Sequence, residues 1–118
     1  MDALFAKQFA TDWVDAWNSH DLTRILSHYA DDFEMCSPVI VRITGQPQGR
    51  LQGKSAVAAY WTKALSMLPD LHFELIAVLT SVDGLVIHYL GATGKHVAEV
   101  LHFNDQGLVC RAQAFYEV

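Results

Sequence analysis

The feature that most constrains this chain is the punctuation of its second half. Asp83-Gly84, Thr93-Gly94 and Asn104-Asp105-Gln106-Gly107 separate runs rich in β-branched and aromatic residues. Turns this short can join only adjacent antiparallel strands, because a parallel return needs a crossover of about a dozen residues or more. The runs Leu71–Val82, Leu85–Ala92, Lys95–Phe103 and Leu108–Val118 are therefore predicted to form a meander.

The first half carries a different period. From Leu4 to Trp17, Phe5, Phe9, Trp13 and Trp17 recur every fourth residue, with Ala6, Ala10, Val14 and Ala16 beside them. That is a wide apolar stripe on one helix. Asn18-Ser19-His20 interrupts it, and Asp21 is a suitable N-cap for a second helix facing inward through Leu22, Ile25, Leu26 and Tyr29. Asp31-Asp32 ends that helix. Phe33, Met35 and Ser37 alternate with Glu34 and Cys36, which predicts a short strand stopped at Pro38. Thr44-Gly45-Gln46-Pro47-Gln48-Gly49 is the clearest loop signal, within a longer connection from Ile40 to Leu51. A third helix follows Gly53, burying Val57, Tyr60, Trp61, Ala64, Leu65 and Leu68, and Pro69 stops it. Helices first and a meander after them give an α+β fold, with three helices covering one face of the sheet.

With 118 residues, 52% of them hydrophobic, the chain can build one core, and it is expected to be a single domain over 1–118. Eight basic against thirteen acidic residues give a net charge of −5, which argues against nucleic acid as a partner. No apolar run is long enough to span a membrane, and the start lacks the basic-then-apolar form of a leader. Cys36 and Cys110 are far apart and in no ligand spacing, so they are expected as reduced, mostly buried thiols in a cytoplasmic protein.

Several segments together resemble the SnoaL-like branch of the nuclear transport factor 2-like superfamily. They are Trp13-Val14-Asp15-Ala16-Trp17-Asn18-Ser19-His20-Asp21, Tyr29-Ala30-Asp31-Asp32-Phe33, Ser37-Pro38 and Gly53-Lys54-Ser55-Ala56-Val57, with Phe103 to Val109 and Phe115-Tyr116 at the end. The resemblance implies a cone: a curved antiparallel sheet wrapped around three N-terminal helices, with an internal pocket in its open end. It also implies a homodimer formed through the outer face of the sheet. It is informative for fold and not for activity, since the superfamily includes isomerases, cyclases, dehydratases, epoxide hydrolases and non-catalytic binding domains.

Ketosteroid isomerases in this superfamily use a carboxylate base with a tyrosine and a neutral carboxylic acid as proton donors. By resemblance the base position falls on Ser37, the tyrosine on Trp13 and the acid on Glu99. Ser37 cannot abstract a carbon-bound proton unaided, so that particular activity is not implied. Glu99 remains. Alternation places Val97, Glu99, Leu101 and Phe103 on the interior face, and His96, Ala98, Val100 and His102 on the other. If Thr93-Gly94 is a two-residue turn, His88 lies opposite Glu99, and a shift by one residue on each flank leaves the two as diagonal neighbours. Glu99 and His88 are thus the candidate catalytic pair. They would act as a proton relay, or else as a polar pair holding register without chemistry.

Ligand contacts are expected from Trp13, Met35, Ser37 and Tyr116, whose family positions face the cavity. Such a lining would suit a flat, hydrophobic small molecule with one or two polar groups. Arg42 and Arg50, in the connection bordering the mouth, could meet an anionic group or simply be solvated. No cofactor is expected. Gly49-Arg50-Leu51-Gln52-Gly53-Lys54-Ser55 has one residue too few for a phosphate-binding loop and lacks its preceding buried strand. No metal site is expected either, because Glu99 points away from His96 and His102 on a strand. Two function classes follow: a cofactor-independent proton-transfer enzyme of isomerase, cyclase or hydrolase type, and a non-catalytic binding protein or dimerisation module.

Overall fold

The computed structural model describes all residues from 1 to 118. The element order is α1 (Ala3–Ser19), α2 (Leu22–Leu26), β1 (Tyr29–Cys36), α3 (Pro38–Thr44), β2 (Arg50–Gln52), α4 (Lys54–Met67), β3 (Glu74–Thr80), β4 (Gly84–Leu90), β5 (His96–Phe103) and β6 (Val109–Tyr116). The strands form one curved, unclosed sheet in the order β2-β1-β6-β5-β4-β3. The meander from β3 to β6 is as the turns require. The sheet is not wholly antiparallel, however: β1 runs parallel to β6, with Met35 opposite Ala112 and Cys36 opposite Gln113. The chain between β1 and β6 is long enough for such a return.

α1 lies across the inner face of the sheet. Asp2 caps it by accepting from the Leu4 N–H at 3.1 Å. Its C-terminus is fixed by the residues that interrupt the apolar stripe. His20 adopts a left-handed conformation, φ 59°, and its ring Nε2 meets the Leu71 carbonyl at 2.8 Å. The Asn18 carboxamide both donates to the Phe73 carbonyl and accepts from the Phe73 N–H, at 3.0 and 2.7 Å. Asn18 thus pairs with the backbone as a strand would, and holds segment 71–73 against the helix.

Two local expectations are corrected. Tyr29 opens β1 rather than closing α2, because α2 ends at Leu26 and Tyr29 turns its ring against Phe33, 4.5 Å between centroids. The connection after Pro38 is not all loop. Ser37 accepts from the Val39 N–H at 3.1 Å and Pro38 occupies the first helical turn, so Pro38 starts α3 instead of only stopping β1. This capping outweighs the poor helix propensity of Val39, Ile40 and Val41. Ile40 is fully buried and anchors the helix. Gly49 closes the loop behind α3 at φ 65°, where a Cβ would come within 2.8 Å of the Ser37 carbonyl oxygen. The same loop leads into β2, a short edge strand that the alternation does not reveal.

The core is strongly aromatic. Trp17 stands edge-on to Trp61 at 5.0 Å, and Phe73 lies 4.6 Å from Tyr89. These rings join α1, α4 and the inner face of the sheet. Leu79 and Phe115, by contrast, are exposed on the outer face. No helix is long and apolar enough to cross a membrane.

Candidate functional site

Between the helices and the sheet is a cavity of about 600 Å³. α1 supplies Trp13 and Trp17, β1 supplies Met35, and α4 supplies Tyr60 and Trp61. The sheet supplies Tyr89 from β4, Glu99 from β5 and Tyr116 from β6. The curvature of the sheet keeps these strands from packing flush on the helices, which is what leaves the space open.

Glu99 is the distinctive group. It is 5% exposed, flanked across the sheet by Ile87 and Ala114, so apolar side chains surround its carboxyl. Its one hydrogen bond comes from the Tyr89 hydroxyl, which donates to Oε1 at 3.0 Å. Burial disfavours the charged form and the Tyr89 bond favours it. Burial dominates, and the carboxyl pKa rises from 4.5 to about 7. At neutral pH Glu99 can therefore give or take a proton. The surrounding phenols are shifted in the same direction, toward the protonated form. Burial and the charge of Glu99 raise Tyr29 and Tyr89 well above the ordinary phenol value, and Tyr116 reaches about 12. These hydroxyls stay protonated and act as hydrogen-bond donors. Trp13 Nε1 donates to the Tyr29 hydroxyl at 2.9 Å, tying β1 to α1.

The pairing of Glu99 with His88 is corrected. The hairpin between β4 and β5 spans Gly91 to Lys95, with Leu90 opposite His96, so Ile87 and not His88 faces Glu99. A one-residue change of register moves a side chain to the opposite face. His88 lies on the outer face, where its Nε2 meets Nδ1 of His96 at 2.8 Å. Of the expected ligand contacts, Trp13, Met35 and Tyr116 line the cavity and Ser37 does not. Ser37 is 2% exposed and caps α3, close to the phenols of Tyr60 and Tyr116, whose rise its hydroxyl moderates. Ser37→Ala should lower stability by about 1 kcal/mol, the ordinary cost of a lost N-cap. Amide exchange over residues 38–44 should accelerate with it, and an unchanged exchange rate there would contradict the capping role.

Tyr89 is the partner that sequence reasoning missed. The signal was present: Leu85, Ile87 and Tyr89 form the more apolar alternating set on β4, and Gly91 lengthens the turn. No three His, Cys, Asp or Glu side chains converge in a way that could hold a metal ion.

A curved, unclosed sheet packed on its N-terminal helices is the cone fold of the nuclear transport factor 2-like proteins. The chain belongs to the SnoaL-like domain family, whose sequence pattern matches residues 10–118. A SnoaL-like protein of unknown function from Burkholderia thailandensis is 56% identical over 99% of this chain and 98% of its own, with a TM-score of 0.96. An isomerase, provisionally assigned, of the SnoaL-like family from Agrobacterium tumefaciens is 16% identical, covers 98% of this chain and 99% of its own, and has a TM-score of 0.77. AclR from Streptomyces galilaeus, provisionally a hydroxylase, is 20% identical over 98% of this chain and 91% of its own, with a TM-score of 0.74. The last two likenesses are of fold alone. Among curated proteins none matches the sequence.

Proposed function

We propose that the cavity binds a small, flat, mostly apolar carbonyl compound and that Glu99 exchanges a proton with it. The reaction belongs to the isomerase or cyclase type and needs no cofactor. The observation that carries this reading is a carboxyl buried in an apolar cavity with one hydrogen-bond partner and a pKa of about 7. A general acid–base works best when its pKa lies near the working pH. Ionised, Glu99 removes a proton from the carbon next to the carbonyl, and the electron pair of that C–H bond moves toward the carbonyl oxygen. Tyr60 and Tyr116 line the same cavity and stay protonated, so they are the donors available to the developing enolate oxygen. Glu99 then returns the proton to another atom of the same ligand.

Hydrogen–deuterium exchange at the activated methylene of β-tetralone tests this directly by NMR in heavy water. The protein should accelerate exchange above buffer, with a rate that rises as pH passes through about 7. Glu99→Gln should lower the catalysed rate at least about tenfold. Saturable binding of β-tetralone without accelerated exchange would overturn the catalytic reading and leave a non-catalytic binding domain.

A further inference from the structure

The basic side chains of this chain are unevenly satisfied. Arg50 pairs with Glu34 at 2.8 Å and Lys54 with Asp31 at 3.7 Å. Arg24 and Lys63 donate to the backbone carbonyls of Asp15 and Ile43. Lys7, Arg42, Lys95 and Arg111 have neither an ion pair nor a hydrogen bond, and of these Arg42 and Lys95 stand on the wall of the cavity. Both are solvent-exposed whereas Glu99 is buried, so both belong to the rim of the cavity and Glu99 to its interior. Arg42, on the last turn of α3, acts through its charge on the Tyr60 and Tyr116 phenols, which also feel, more strongly, the Glu99 carboxyl, so these two rings lie between the rim and the buried acid. Tyr116 pairs with Val97, and Lys95 directly precedes β5. At the rise of an extended strand, Lys95 lies about 13 Å from Glu99 along the chain. Glu117 is the other charged group on this wall, and its Oε1 is engaged by the His96 N–H at 2.8 Å.

The two ends of the cavity are therefore chemically different. At one end is a carboxyl poised to exchange a proton. At the other, two unpaired cations border an apolar wall, on a protein whose net charge is −5. A wholly neutral ligand would leave both exposed cations to water alone, and an anionic group placed beside Glu99 would be repelled by it. An acid that keeps its carboxylate at the rim meets neither objection. We propose that the rim formed by Arg42 and Lys95 is an anion subsite, and that the ligand is an elongated organic acid. Its carboxylate meets the two cations while its carbonyl or hydroxyl end reaches Glu99. The Glu99 end of this arrangement rests on the function proposed above. The guanidinium suits a carboxylate particularly well, since it can donate two parallel hydrogen bonds.

Isothermal titration calorimetry with matched probes tests the rim separately from the floor. One pair is β-naphthol and the hydroxynaphthoic acid with its groups at opposite ends of the rings. The other is para-phenylphenol and the matching hydroxybiphenylcarboxylic acid, which is longer. In at least one pair the acid should bind about tenfold or more tighter than the alcohol, as charge-assisted hydrogen bonds allow. In the double variant Arg42→Met, Lys95→Met that ratio should fall to near one. Lys7→Met, Arg111→Met removes the same charge away from the cavity and should keep the ratio. A ratio near one in the unaltered protein for both pairs, or one that survives the Arg42 and Lys95 changes, overturns the subsite. If the alcohols bind and weaken in Glu99→Gln while the acids gain nothing, the rim fails and the function of Glu99 stands. If the acids gain through Arg42 and Lys95 while Glu99→Gln changes no affinity, the rim stands and the placing of the ligand's hydroxyl end at Glu99 fails, the proton exchange itself being judged by the β-tetralone rates. Absence of binding by all four compounds overturns both.

Discussion

Glu99→Gln should make the protein more stable at pH 8, by about 3 kcal/mol, while removing the group on which its proposed chemistry depends. The magnitude follows from the rise in the Glu99 pKa from 4.5 to about 7, because each tenfold change in proton affinity between the folded and unfolded chain is worth about 1.4 kcal/mol. Between those two values the folded chain holds a proton that the unfolded chain has released. Unfolding is then favoured progressively as pH rises. The cost is absent below about pH 4.5, grows through the interval and is complete above about pH 7. A glutamine cannot ionise, keeps an oxygen to accept from the Tyr89 hydroxyl and has nearly the same volume. Urea unfolding of both proteins from pH 4.5 to pH 8.5 checks this. The two stability curves should converge at the acid end and separate as the solution becomes more basic. Parallel curves would show that the carboxyl titrates as it does in water, and the proposed proton exchange would lose its physical basis.

A buried carboxyl that destabilises the fold at working pH is hard to explain by packing alone, since a glutamine or leucine would fill the same place at lower cost. Proteins tolerate such groups chiefly where function requires them. Glu99 stands apart from the histidines in this respect. His88 and His96 satisfy one another at the outer face, 2.8 Å apart, and His20 is taken up by the Leu71 carbonyl. None of these rings lines the cavity.

The interior position of Glu99 is readable from the strand itself, because alternation along Val97, Glu99 and Leu101 needs only one strand and no register. Its partner is not readable from the same pattern. Register across a hairpin depends on the length of the turn, and Thr93-Gly94 looks sufficient while Gly91 and Lys95 also belong to the turn. One residue of difference there exchanges His88 for Tyr89 as the nearer partner. The same limit applies at Pro38, which starts a helix or ends a strand depending on whether the preceding side chain caps it. Ser37 does cap it, so a residue expected in the cavity instead holds the helix that carries Arg42. The parallel pairing of β1 with β6 joins distant segments and leaves no local trace. The aromatic stripe of α1 is legible, but nothing in its spacing separates a ring of the core from a ring of the cavity wall.

Trp13 is both, and its substitutions should separate the two roles. The ring is 2% exposed, lies 5.3 Å from Tyr89 and 5.9 Å from Phe73, and donates to the Tyr29 hydroxyl at 2.9 Å. Trp13→Ala should cost about 3–5 kcal/mol in urea unfolding, the range for deleting a large buried ring. Trp13→Phe keeps most of the apolar surface but leaves the buried Tyr29 hydroxyl without its donor, so about 1–3 kcal/mol should be lost. Adding Tyr29→Phe removes the stranded hydroxyl as well. The double change should therefore cost less than the sum of the two single ones, by about 1 kcal/mol. Strict additivity would mean that the Trp13–Tyr29 hydrogen bond contributes nothing, and a loss below about 1 kcal/mol for Trp13→Ala would place the ring on the cavity wall only. If both roles hold, Trp13→Phe should alter β-tetralone affinity far less than it alters stability. A phenyl ring still gives the cavity an apolar wall there, whereas the indole N–H that braces Tyr29 has no substitute.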